Sequence, residues 1–342
     1  MPIEQKGLSE RLTAIVERFP RRKVLVVGDL LADQFLFGEI SRVSREAPVL
    51  ILRHERTETM PGGAANCAAN LASLGAQTIV VGVVGEDGAG NALTEKLRAY
   101  GVDCRGVLSS SEVQTTTKVR ILAGQVHSTR QQVIRVDYEG GPFSNRRLRE
   151  QVLERLREEA KGADALILSD YNYGVADEEA AAIARRVGEE RGIPVLVDSR
   201  FRLNSFAGFT SATPNEDEVE KLLGRQLEDA AEIEAAGREL RERLGYKSLL
   251  ITRGNRGMVL FEPDKEPLRV EAVGALEPVD VTGAGDTVIA TYALALSCGA
   301  SFADAAHLAN HAGGLVVMKR GTASVKRNEL LASVQLWAGP KS

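Results

Sequence analysis

The sequence predicts an α/β fold, a doubly wound and mostly parallel sheet flanked by helices, with a small antiparallel β lid standing off it. Three observations carry this expectation. Short β-branched runs alternate with segments of helical period through most of the chain. The runs are apolar throughout, as strands covered on both faces require, and they end at Gly, Asp, Ser or Thr. Residues 33–59 and 113–137 break the pattern, carrying alternating or β-rich stretches with no helical period.

In chain order, the opening MPIEQKGLSERLTAIVERF lacks the apolar core of a signal peptide and reads as an amphipathic surface helix. Strands follow at 23–27 (KVLVV), 78–84 (TIVVGVV), 165–168, 194–197 and 248–251. Helices are expected at 63–74, 90–100, 145–161, 178–191, 215–223 and 229–244, and this alternation is what implies the parallel sheet. Two last helices, near 284–298 and 302–319, would close the domain, and the tail 339–342 is expected to fray. Four short strands from 33–59 and 113–137 would form the lid. Such a sheet suits a lid over a site or an oligomer interface, and because one with a wet face often needs a partner, a homodimer through the lid is expected. With 342 residues, the expectation is one domain, 1–342, with this lid as its sub-domain.

Composition excludes several classes. A formal charge of −4 and a pI near 5.8 provide no basic field for nucleic acid or an anionic membrane. The uncharged stretch 287–303 is too short and too polar to span a bilayer. Cys67, Cys104 and Cys298 are odd in number and widely spaced, which argues against a disulfide framework or a zinc site and for reduced thiols in the cytoplasm. Glycine is in excess, with 33 residues, about a tenth of the chain against a usual level of about 7%. Much of the excess falls at Gly62-Gly63, Gly82 to Gly90, Gly254 to Gly257, Gly283 to Gly285 and Gly313-Gly314, as expected of backbone shaped around ligands.

The strongest motif is DVTGAGDT at 280–287, followed at once by an apolar helix. A Gly-Ala-Gly turn opening a helix directs amides at an anion. Asp286 on that turn reads, taken alone, as a first-turn acid. Beside the amides it is also suited to take a proton from a hydroxyl. No G-x-x-x-x-G-K-[ST] and no G-x-G-x-x-G is present, so neither a P-loop nor a dinucleotide fold holds the phosphates. His307 and His311 are spaced i, i+4, but no third metal ligand is evident.

With PGGAAN at 61–66, leading into NLASLGAQTIVVGVVGEDGAG, and DVTGAGDT at 280–287, the chain resembles the ribokinase-like (PfkB) sugar kinases over roughly 22–335. The resemblance implies a ribokinase-like fold and ATP-dependent phosphorylation of a sugar. It implies Asp286 as catalytic base and the amides of Gly283, Ala284 and Gly285 as anion hole. Asp33, Gly62, Gly63 and Asn66 match sugar contacts, and Asp170 lies in a stretch, LSDYNYG, expected at the substrate side. Asn215 and Glu218 resemble the family's N-x-x-E element, implying Mg²⁺ held through water; a helix cap is the alternative reading. Thr252, Gly254 and Gly257 resemble the nucleotide loop, or are merely a turn before a hairpin. Asn310 matches a position beside adenine. Asp280 and Thr282 match positions holding a monovalent cation, which makes K⁺ a candidate, and Lys319-Arg-Gly321-Thr either completes that loop or caps a helix.

Within the family the resemblance is to the kinase module of heptose-phosphate kinase/adenylyltransferases, on SRVSREAPVLIL, TTTKVRIL, QQVIRVDYE and LSDYNYG. It implies phosphorylation of D-glycero-D-manno-heptose 7-phosphate at O1, for lipopolysaccharide core precursors, with the adenylyl step left to another polypeptide. Lys118 and Arg120, i and i+2 on a strand, face one way and suit a substrate phosphate, with Arg135 as a third candidate; a solvated strand face is the alternative. Two departures bear on the substrate. Tyr173 stands where that subgroup has Lys, and Ser199-Arg200 where it has Pro-Lys, so another sugar, sugar phosphate or nucleoside stays open as acceptor. A sugar- or nucleotide-sensing module is the non-enzymatic alternative, against which the intact Asp286 and N-x-x-E speak.

Overall fold

A computed structural model describes residues 3–124, 130–274 and 277–336. Positions 125–129 of the expected lid and the tail 339–342 lie outside the described residues.

The chain opens with α1 (Ile3–Glu17) and β1 (Lys23–Gly28), then passes into two long strands, β2 (Leu30–Val43) and β3 (Leu50–Gly63). Next come α2 (Ala64–Ser73), β4 (Gln77–Gly85), α3 (Gly88–Ala99) and β5 (Asp103–Ser110), followed by β6 (Thr117–Gly124) and β7 (Gln131–Tyr138). The middle is α4 (Arg146–Ala160), β8 (Ala165–Asp170), α5 (Glu178–Arg191), β9 (Val195–Ser199), β10 (Ser211–Ala212), α6 (Glu216–Leu223), α7 (Ala230–Leu244) and β11 (Ser248–Thr252). A hairpin of β12 (Met258–Phe261) and β13 (Leu268–Val270) precedes α8 (Ala284–Ser297), α9 (Phe302–Val316) and α10 (Arg327–Leu336).

The main sheet has nine strands in the order β13-β12-β11-β10-β9-β8-β1-β4-β5, with parallel pairings throughout except β11–β12 and β12–β13. Its apolar runs are strands because both faces are covered. Val24, Val26 and Ile167 pack into a core shared with α2, α8 and α9, while Leu25, Val27 and Leu168 point into one shared with α4, α5 and α7. Asp87, Asn145, Asp177, Asp229 and Ser301 cap their helices, each accepting from the amide three residues on. The opening helix is not merely superficial: Leu12, Ile15 and Val16 are buried, and α1 packs on α10. The helix expected to run to 319 stops at Val316. The carbonyl of Val317 accepts instead from the amides of Val279 and Asp280, which ties the segment before the 280–287 motif to this point.

The lid is a separate four-stranded sheet, in the order β3-β2-β6-β7. Its outer pairings are antiparallel and the central β2–β6 pairing is parallel. It also reaches further inward than 33–59. Leu30 pairs with Gly63 at the root, so the strands that form the lid also form the floor beside the main sheet. Among the described residues no helix is long and apolar enough to cross a membrane.

Candidate active site

Ligands of open α/β sheets bind beyond the carboxyl ends of the strands, and a polar cleft of about 350 Å³ lies there. Its walls come from the ends of β8, β9 and β11 (Tyr171, Asp198, Arg200, Thr252), from the lid (Asp33, Gly62, Gly63, Lys118, Arg120) and from the turn into α8 (Thr282 to Asp286).

That turn has a fixed geometry. Gly283, the residue before α8, has φ 76°, and a Cβ there would stand 2.4 Å from Asn66 Nδ2, so both conformation and space require glycine. The amide of Ala284 donates to the Val281 carbonyl at 3.2 Å. Among the described residues the amides of Gly283, Gly285 and Asp286 have no acceptor, and they start a helix whose dipole favours negative charge. Of the three amides expected to face an anion, that of Ala284 is spent on the turn, while the neighbouring Asp286 amide is open.

Asp286 is buried. Its Oδ2 accepts from Asn66 Nδ2 at 2.7 Å and its Oδ1 from the Tyr171 hydroxyl at 3.1 Å. Thr287 Oγ donates to Asn70 Oδ1, and Asn70 Nδ2 to Asn66 Oδ1, so a directional chain of donors ends on the carboxylate. Burial pushes the Asp286 carboxyl up to about 7, and the Asn66 and Tyr171 donors oppose that rise. Asp33 adds to it and Arg200 relieves it. Asp33 itself accepts from Arg120 at 2.5 Å and from the Thr322 hydroxyl at 3.0 Å.

Opposite the lid, Asn215 and Glu218 form a reciprocal cap on α6. Glu218 Oε2 takes the Asn215 amide and Asn215 Oδ1 takes the Glu218 amide, each at 2.9 Å. The capping reading holds, and the capped residues also line the cleft. Burial raises the Glu218 carboxyl against the pull of the Asn215 N–H. Asp198 is pushed well up by burial and then by the charges of Glu218 and Asp286, and among the described residues its carboxylate has no hydrogen-bond partner. Asp280 accepts from the amides of Thr282 and Gly321, both at 2.9 Å. Burial would raise it, but these donors hold it below the usual carboxylate range. Lys319 bonds the Ser324 carbonyl and the Glu329 carboxylate at the start of α10.

A second cavity of about 170 Å³ adjoins the cleft, sharing Thr252, Val281, Ala284 and Gly285 as a wall. It is apolar elsewhere, with Met258, Val273, Pro278, Val288 and Val317, and it takes in Gly254, Gly257 and Asn310. Asn310 Nδ2 donates to the Glu271 carbonyl at 2.7 Å.

A sequence profile described as pfkB family carbohydrate kinase matches residues 21–328. The chain belongs to this family. It is a carbohydrate kinase, a phosphotransferase acting on a sugar hydroxyl. It is 42% identical over 320 residues to the bifunctional protein HldE of Pseudomonas aeruginosa, taking in 93% of this chain and 65% of that protein. A protein of the same name from Desulfatibacillum aliphaticivorans is 38% identical over 321 residues, covering 94% of this chain and 64% of its own length. The kinase thus spans just under two thirds of these relatives. Among solved structures, Arabidopsis thaliana ribokinase complexed with ribose and ATP aligns with a TM-score of 0.71 at 24% identity, over 92% of this chain and 99% of that one. Escherichia coli phosphofructokinase-2 in complex with potassium aligns at 0.74 and 19%, over 92% and 98%. These likenesses establish the ribokinase-like fold.

Most residues singled out by sequence meet at the two cavities of the kinase. Four of the expected site residues line neither: Asn66 is buried against the Asp286 carboxylate, Asp280 is turned to the Thr282 and Gly321 amides, and Asp170 and Arg135 stand apart. Asp170 lies behind the cleft wall, almost wholly buried, where it takes the Ser199 hydroxyl, the Asn172 amide and Arg202. It shapes the wall from behind. Arg135 stands opposite Arg120 in the lid register, but it is exposed, outside the cleft wall and bonded through two nitrogens to Asp137 at 2.9 and 3.0 Å. Sequence reasoning missed Tyr171, Asp198, Thr213 and Thr322. The run after β8 and the residues ending β9 sit where such sheets bind ligands, and that position was the available signal.

Proposed function

We propose that this carbohydrate kinase transfers the γ-phosphate of ATP to O1 of D-glycero-D-manno-heptose 7-phosphate, in the cytoplasm. One observation carries the choice of a phosphorylated acceptor. Lys118 and Arg200 both face the cleft, and among the described residues neither hydrogen-bonds or ion-pairs with an acid. Burial, and then the charge of Arg200, lower the Lys118 ammonium from its usual value. Two cations that disfavour each other beside an acceptor site are matched by a substrate phosphate. Arg120 is already committed to Asp33, so the phosphate falls to Lys118 with Arg200. The Tyr173 departure loses its weight on this reading, because Tyr173 bonds Glu139 and lines a separate hollow with Asp29. The same heptose is consistent with the similarity to HldE.

Asp286 would take the proton from the acceptor hydroxyl as that oxygen attacks the γ-phosphorus in line and the bond to the β-phosphate oxygen breaks. The amides of Gly283, Gly285 and Asp286 would receive the charge on the transferred group, and Asp33 would orient sugar hydroxyls, while Asn66, buried and bonded to Asp286 and Asn70, would hold the base instead of the sugar. The apolar cavity suits adenine. The Asp198 carboxylate and the remaining oxygen of Glu218 fit a hydrated Mg²⁺, with Asn215 positioning Glu218 through its amide. Bound there, the ion would neutralise charge on the phosphates. Asp280 and Thr282 would hold K⁺ beside the turn.

ATP consumption over heptose 7-phosphate, fructose 6-phosphate, ribose, fructose and adenosine, in potassium and in sodium buffers, tests this. The heptose phosphate should show the highest kcat/KM, and Lys118→Ala should raise its KM about tenfold or more, the scale of a lost charge-assisted bond. No preference for heptose 7-phosphate sinks the substrate reading, and equal rates in the two salts sink the potassium reading. The lid exposes Val43, Leu50, Val133, Ile134 and Tyr138, and we assign this face to a homodimer. Sedimentation should give a dimer that Ile134→Asp dissociates; a concentration-independent monomer would contradict it.

A further inference from the structure

The carboxylate of Asp286 is held from two sides. Asn66 meets Oδ2 from α2, and Tyr171 meets Oδ1 from the loop after β8. Tyr171 is in turn fixed by a distant acid. Asp29, just past the end of β1 and 2% exposed, accepts the Tyr171 amide at 2.8 Å and the Tyr173 amide at 3.0 Å on Oδ2, and the Val175 amide at 3.1 Å on Oδ1. Alternate amides of one loop thus converge on one buried carboxylate. The residues between them, Asn172 at φ 68° and Gly174 at φ 103°, adopt the left-handed region that turns the amides inward. Space for the phenol is made by Gly63, where a Cβ would lie 3.2 Å from Tyr171 Cε2. The Arg200 guanidinium lies 5.9 Å from the ring centroid.

We propose that Tyr171 is a positioning residue for the base Asp286, and that Asp29, which touches neither substrate nor the reacting atoms, sets its aim by clamping the 171–175 loop. This rests on the reading of Asp286 as the general base. With one donor on each oxygen, the carboxylate cannot rotate about Cβ–Cγ without losing both bonds. Burial, and then the charges of Asp286 and Asp198, hold the Tyr171 phenol well above its usual value, so it stays protonated and donates. A donated bond favours the ionised acid, so Tyr171 also lowers the pH at which the base becomes available. The other groups facing Asp286 are Asp33 on β2, Asp198 on β9, Arg200 beyond β9 and the buried thiol of Cys67 on α2. None of them bonds Oδ1.

The test is the pH profile of kcat and kcat/KM for Tyr171→Phe, Asp29→Asn and the control Asp286→Asn. Tyr171→Phe should move the acidic limb upward by about one pH unit, the size of one lost bond to a charged group, and lower the plateau kcat about tenfold, with both KM values within about twofold. Asp29→Asn should reproduce the upward shift, because a single amide oxygen cannot replace a carboxylate that accepts from three N–H groups. The two variants report independently, so poor folding of one leaves the other decisive. An unmoved acidic limb with Asp286→Asn inactive overturns the positioning role and leaves the base intact. Turnover retained in Asp286→Asn overturns the base assignment itself.

Discussion

The cleft and the apolar cavity share Thr252, Val281, Ala284 and Gly285, yet they are built by opposite means. On the cleft side the groups around Asp286 and Asp33 are aimed by others, while among the described residues Asp198, Lys118 and Arg200 stay open. Asn70 orients Asn66, Asn66 and Tyr171 orient Asp286, and Arg120 with Thr322 orients Asp33. On the other side Val273, Val288 and Val317 offer area, and Asn310 turns its amide to the backbone of Glu271. Fixed dipoles matter where charge moves during the reaction, whereas apolar area binds ground state and transition state alike. The two sides should therefore fail differently when altered.

The sharpest contrast is expected at Asp286. Asp286→Asn keeps the shape but cannot accept the proton, and kcat should fall by about a thousandfold or more while the affinity for ATP, read by calorimetry, changes less than about twofold. Turnover by the native enzyme should rise with pH up to about 7 and level off above it, since burial keeps the acid protonated below that value. A rate that falls across that range, or an Asn variant that still turns over, would break the contrast. At the small end lies Asn310→Ala. Losing its bond to the Glu271 carbonyl should raise the KM for ATP a few-fold and leave kcat within about twofold, because uniform binding is what is lost. A large fall in kcat there would mean that the apolar side also acts in the transition state.

The same contrast explains what could be read from the sequence. The turn at 283–285, Asp286 and the N-x-x-E pair are legible because their chemistry is local: a glycine turn opens a helix, and a capping pair sits three residues apart. Tyr171 and Thr322 were missed because each acquires its role only through a partner far along the chain, Asp286 and Asp33 respectively. Asp170 and Arg135 were overread for a related reason. Each is a plausible polar residue beside the right strand, but Ser199, Arg202 and Asp137 claim them, and only packing decides such competition. In the fold, the buried strands were plain as apolar runs, whereas β5, with its alternating edge pattern, and the short β10, β12 and β13 gave weaker periodicity. The central pairing of the lid was hidden as well, since alternation along a strand does not tell its direction relative to a neighbour.

That pairing has a consequence for how the chain folds. The pairs β2–β3 and β6–β7 each join strands close in sequence, so their contacts close only short loops. The seam between them sets Ala32 beside Thr117, with α2, β4, α3 and β5 in the intervening chain. Parallel neighbours cannot be reached by a tight turn, so the closure entropy of this long loop must be offset first by the half-sheet that contains it. The lid is thus two local hairpins joined by one long-range seam, and that seam, by bringing Arg120 to Asp33, makes the ribbon one wall of the cleft.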